Sequence, residues 1–82
     1  MMPRYFFDLY DGDTEAKDTE GLDFVDREAM RRAAIAELPD IARDALPDGD
    51  EREFAVTVRS EGGEVVFRAA LVLRAGWVAD GG

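Results

Sequence analysis

From residue 4 the chain alternates, with Tyr5, Phe7 and Leu9 set between Arg4, Phe6, Asp8 and Tyr10. A period of two rich in aromatic residues predicts a half-buried strand over 4–10. Asp11-Gly12-Asp13 reads as a turn, and a short polar strand near 14–18 would close a hairpin, its charges placing it at a sheet edge. Thr19-Glu20-Gly21 breaks the chain again. The period then becomes helical: Met30, Ala34, Leu38, Ile41 and Ala45 recur at spacings of three and four and form one apolar stripe. Asp26 is the predicted N-cap, and Val25 is placed to pack on Met30 as a hydrophobic staple. Pro39 lacks the amide that would bond to the carbonyl of Ile35, which predicts a kink or two short helices, and Pro47-Asp48-Gly49 ends the segment.

From Glu53 the period returns to two. Phe54, Val56 and Val58 alternate with Ala55, Thr57 and Arg59, Gly62-Gly63 supplies a hairpin turn, and Val65, Phe67, Ala69, Leu71 and Leu73 continue as the apolar face of a longer strand. The predicted order is ββαββ, an α+β fold with a four-stranded, mostly antiparallel sheet and one Pro-kinked helix packed on one face. The first and last strands are the most apolar, which places them centrally. Residues 1–82 form one small domain with an ordered core over about 3–77, because a chain this short closes only one hydrophobic core.

Charge changes the picture of partners. The net charge is −9, and eight acids between Asp8 and Asp26 face Lys17 alone. Nucleic acid and anionic membranes are both bound by neutralising phosphate with Lys and Arg, so neither is expected as an unaided partner. A protein partner or self-association fits better, because a domain of this size without cysteine has no disulfide to compensate for a small core. No apolar run approaches the length of a signal peptide or a membrane span, and a cytoplasmic setting is expected.

Pro3-Arg4-Tyr5-Phe6-Phe7-Asp8-Leu9 with Asp11-Gly12, then Asp18-x-Glu20-Gly21, Ala42-Arg43-Asp44 and Val56-x-Val58-Arg59, resembles a family of short uncharacterised bacterial proteins common in alphaproteobacteria. That resemblance runs over nearly the whole chain and is most specific in its first nine residues. It implies a bacterial cytoplasmic setting and supplies no catalytic residue. A fainter likeness, over Asp18 to about Ala36, is to the amino-terminal domains of HicB-type antitoxins, and it implies an antitoxin-like or inhibitory role against a basic partner.

The residues offer little catalytic chemistry. With neither His nor Cys, the commonest general base, the thiol nucleophile and most transition-metal sites are missing. The carboxylates fall in turns and on polar faces where solvent keeps them ionised, so no enzyme, cofactor, metal or small-molecule substrate is expected. Asp11-x-Asp13-x-Glu15 begins like a calcium loop, yet Ala16 stands where its sharp turn needs Gly, and the same residues simply build turns. The acids of this turn and of the helix-to-strand turn (Asp48, Asp50, Glu51) are expected at one end of the molecule.

A more distinctive feature is the sheet face turned away from the helix. With Tyr5, Phe7, Leu9, Phe67 and Leu71 inward, Phe6, Tyr10, Val66 and Val72 face out beside Arg4, Arg59, Arg68 and Arg74. Rings and guanidinium groups suit either RNA stacking or a protein contact, and the acidic charge favours protein. The expected function is a non-catalytic interaction or regulatory module, most simply a homodimer through this face or an edge strand, with Arg4, Phe6, Tyr10, Arg59, Arg68 and Arg74 as its candidate surface.

Overall fold

The computed structural model describes residues 2–46 and 49–79. The elements are β1 (Arg4–Tyr10), β2 (Glu15–Ala16), β3 (Leu22–Asp23), α1 (Arg27–Ala45), β4 (Glu51–Ser60) and β5 (Val65–Arg74), and every strand pairing is antiparallel. The fold is α+β, with one helix and one sheet among the described residues. The polar hairpin strand shrinks to two residues, and Leu22–Asp23, too short to show any period, adds a fifth strand on the same side of β1.

The sheet order is β2-β1-β4-β5, with β3 also paired to β1. This corrects the expectation that the last strand is central: β5 is the outer strand, and β1 and β4 lie inside. The tight connection is the reason. Gly63 takes φ +89°, a left-handed conformation that glycine adopts readily, and its N–H donates to the carbonyl of Ser60. This turn lays β5 beside β4, whose other side is taken by β1 in the register Phe7 opposite Val58 and Leu9 opposite Val56. A local hairpin outranks apolar content in fixing strand order.

Side chains opposite one another share a face, so Phe7, Val58 and Phe67 form one row and Leu9, Val56 and Ala69 the next. Met30, Ala34, Leu38 and Ala42 of α1 close over them, with Phe54, Val56 and Val58 fully buried. The stripe follows i+4 steps, so Ala42 is buried while Ile41 and Ala45 lie at its margin. Asp26 caps the helix as expected, its carboxylate accepting from Ala29 N–H at 2.8 Å. The staple does not form: Val25 is 71 % exposed, and Phe24 takes its place in the core, stacked on Phe7 with ring centroids 5.6 Å apart.

Pro39 sits inside one unbroken helix instead of dividing it. Ile35 and Pro39 both lie on the exposed side, where water can satisfy the carbonyl that Pro39 cannot. Of the sequence that was expected to end this helix, Pro47 and Asp48 lie outside the described residues. The helix lies over β4 and β5; a shallow cavity separates its first turns from Val66 and Phe67 at the start of β5, and another separates its last turns from Leu9 and Arg52. One corner of the helix side, at Leu71, is left uncovered, and Leu71 is 42 % exposed.

Candidate functional site

The face away from the helix divides into two unlike halves. Over β1 it is latched by the chain's own loop, residues 17–21. Asp8 projects to this side and is only 4 % exposed, the one buried charged residue among those described. Arg59 grips it through two bonds, Nε to Oδ2 at 2.7 Å and Nη2 to Oδ1 at 3.0 Å, and Asp18 N–H donates to the same Oδ1. Arg59 Nη2 also donates to the Asp18 carbonyl at 2.8 Å.

The Asp18 carboxylate completes the latch by accepting from the amides of Phe7, Glu20 and Gly21, each at 3.0 Å. Phe7 N–H lies on the edge of β1 between the stretches paired to β2 and β3, so a side chain replaces the missing ladder acceptor there. The bonds from Arg59 hold the Asp8 carboxyl below its ordinary value, against the upward push of burial. Partial burial pushes Asp18 up, but the amides of Gly21, Phe7 and Glu20 outweigh it and hold that group low as well.

These contacts revise the expectation of a fully open reverse face and of uniformly solvated acids. Of the six candidate residues, Arg4, Phe6 and Arg59 belong to the latch. Arg4 pairs with Asp23 at 3.0 Å and donates to the Glu20 carbonyl. The Phe6 ring lies under the Arg59 guanidinium, 5.3 Å from its centroid, with Gly21 packed close against the ring. Tyr10, Arg68 and Arg74 fall on the other half, which remains open. Tyr10, Ala55 and Ala70 form one row there, Glu53 faces Val72, Glu51 faces Arg74, and Arg68 donates to Thr57 Oγ1 at 3.3 Å. Val66 departs from its expected place: the register shift beside Val58 and Arg59 leaves it without a cross-strand partner, so it forms a bulge.

β5 bounds this open half, and among the described residues no strand pairs with its outer edge. Ala75 N–H donates to the Asp50 carbonyl at 2.7 Å, which sets the phase of the ladder. By alternation, Phe67, Ala69, Leu71 and Leu73 turn their backbone groups to β4, whereas Arg68, Ala70, Val72 and Arg74 turn theirs outward. Apolar side chains flank that edge on both faces, with Leu71 on the helix side and Val72, 50 % exposed, on the other.

A family model described as Domain of unknown function (DUF6894) matches residues 4–72. The chain belongs to the DUF6894 family. No curated protein and no solved structure shows significant similarity to it. The DUF6894 match takes in the whole latch and runs along β5 as far as Val72, so both halves of the reverse face lie within the family's own segment.

The acidic turn after β1 is held by turn chemistry. Asp11 Oδ1 accepts from the amides of Asp13 and Thr14 at 2.9 Å, and its carbonyl accepts from Arg52 Nε at 2.7 Å. These bonds from Thr14 and Asp13 hold the Asp11 carboxyl below its usual value. The Arg52 contact brings this turn to the start of β4, where Glu51 lies, while Asp48 falls outside the described residues. Beside it a shallow groove runs between the end of α1 and β1, floored by Leu9 and Ile41 and rimmed by Glu37, Asp40 and Asp44.

Proposed function

We propose that this DUF6894 domain is a non-catalytic interaction module whose contact surface is the β5 flank. One observation carries the reading: a ten-residue outer strand, with no partner strand on its outer side among the described residues, presents backbone groups between exposed apolar side chains, while β2 and β3 cover the other outer edge. Proteins ordinarily shield such edges with charge, proline or covering chain, and an edge shielded only in part remains a template for pairing with another strand. Here β2, β3 and the Asp18 carboxylate shield the β1 side, while Val65 to Ala79 contain no acid and no proline. The charge pattern supports the same surface, because in a chain of net charge −9 this segment carries only Arg68 and Arg74.

The reading favours a protein contact over RNA. The ring best placed for base stacking, Phe6, is enclosed between Arg59 and Gly21, and the open half presents small and aliphatic side chains beside Glu51 and Glu53. The test is light scattering on the purified chain at micromolar concentration, with Val72→Lys as the control. The proposal expects an associated species for the wild type and about a tenfold or greater weakening for the variant, since charge on a paired edge opposes association. A wild type that stays monomeric throughout, with Val72→Lys indistinguishable from it, overturns the proposal for self-association.

A further inference from the structure

Resting on that reading, we infer that the occupant of the β5 edge is a second copy of this chain, paired antiparallel about a two-fold axis at Ala69, so that the two sheets become one. An antiparallel pairing of identical strands is isologous: each copy offers the same patch, and the contact closes on itself. The blocked β1 edge limits the assembly to two copies, since no further strand can add at either end of the joined sheet.

Backbone phase and charge select the register. Outward-facing groups come from Arg68, Ala70, Val72 and Arg74, so the axis must set outward-facing residues of the two copies opposite one another. A two-fold at Arg68 sets Arg68 against itself, and one at Leu71 sets Arg68 against Arg74, so like charges oppose both. A two-fold at Ala70 places Arg68 across from Val72 and Leu71 across from Ala69, which leaves the exposed Leu71 corner beside a small side chain. The axis at Ala69 pairs Phe67 with Leu71 and Arg68 with Ala70, and it sets neither Arg68 nor Arg74 against an arginine of the partner strand.

The same register covers the exposed corner. Leu71 of one copy comes to lie beside Phe67 of the other, and Phe67 packs at the margin of the core, across a shallow cavity from the first turns of α1. Each helix therefore shields the corner that the partner's sheet leaves bare. Ala69 on the axis keeps the helix side of the seam narrow, as a non-hydrogen-bonded pair has its Cα atoms only about 4.5 Å apart.

The chain has no cysteine, so single substitutions report the register cleanly. Under mild oxidation Ala69→Cys should form a disulfide-linked dimer about tenfold faster than Ala70→Cys, because only the axial residue meets its own copy at bonding distance. Should Ala69→Cys fold poorly, a mixture of Arg68→Cys and Ala70→Cys copies serves: cross-links between the two kinds, exceeding those within either, support the same axis. Ala70→Cys linking as fast as Ala69→Cys or faster, or cross-links within each kind in the mixture, overturns the register while a dimer in light scattering leaves the interaction reading standing. A chain that is monomeric by light scattering removes both.

Discussion

Asp8 is the residue at which charge, burial and chain path meet. Its carboxylate is nearly sealed, yet it stays ionised because Arg59 and the Asp18 amide supply donors to both oxygens. Replacing it with Asn keeps the shape and removes the charge, leaving Arg59 with a weaker acceptor. The expected cost is about 1–3 kcal/mol, read as a lower denaturation midpoint. The pH dependence has a definite sign. Asp8 and Asp18 are both held below the ordinary value of 3.8, so their contribution is complete above that pH and fades as the pH falls through their lower folded values. Asp8→Asn should therefore lose stability less steeply than the wild type on acidification below about pH 4, as followed by circular dichroism. Identical slopes for the two proteins contradict the latch.

Gly21 gives a second test at the same scale. It adopts φ +74°, and a Cβ there would come within 2.9 Å of Phe6 Cε2 and 3.0 Å of the Tyr5 carbonyl oxygen. Gly21→Ala combines a left-handed backbone with contact against main chain, and a loss of about 1–2 kcal/mol or more is expected in urea denaturation. An unchanged midpoint contradicts the close packing of this loop on β1. The Asp-x-Glu-Gly spacing is visible in the sequence, but its role is not. Asp18 reads as one acid among eight until the path of the chain brings Phe7 N–H to it, a pairing across eleven residues that no local period records.

At the scale of elements, legibility followed the source of the order. β1 and the hairpin of β4 with β5 are written in strict alternation and a Gly-Gly turn, and the helix start is written in Asp26. What the pattern misjudged was decided by neighbours. Val25 and Phe24 compete for one place at the helix entry, and the larger ring wins because Phe7 and Tyr5 offer it aromatic partners. Pro39 signals a break only where its missing bond is buried; on the exposed side the helix carries through. The apolar content of β5 suggested a central strand, and its position at the border turns that same content into the candidate surface. The periodicity thus identified the element while its meaning depended on the sheet order.

For the whole molecule, the two borders of the sheet are finished differently, and the proposed function rests on that asymmetry. One border is covered by β2, β3 and a carboxylate, and the other is a strand without acids whose alternate amides meet no partner strand among the described residues. The candidate surface was partly visible in the residues: Tyr10, Arg68 and Arg74 do share the open half, whereas Arg4, Phe6 and Arg59 were spent on the latch, which only the long-range contacts reveal. Amide hydrogen exchange at residue resolution bears on this asymmetry most directly, comparing Arg68, Ala70 and Val72 of β5 well above and well below the concentration at which association is half complete. Pairing of the β5 edge predicts that these three amides are protected in the concentrated sample nearly as well as those inside β4, and that protection falls on dilution. Fast exchange of all three at every concentration, beside an intact and protected β4, would contradict it.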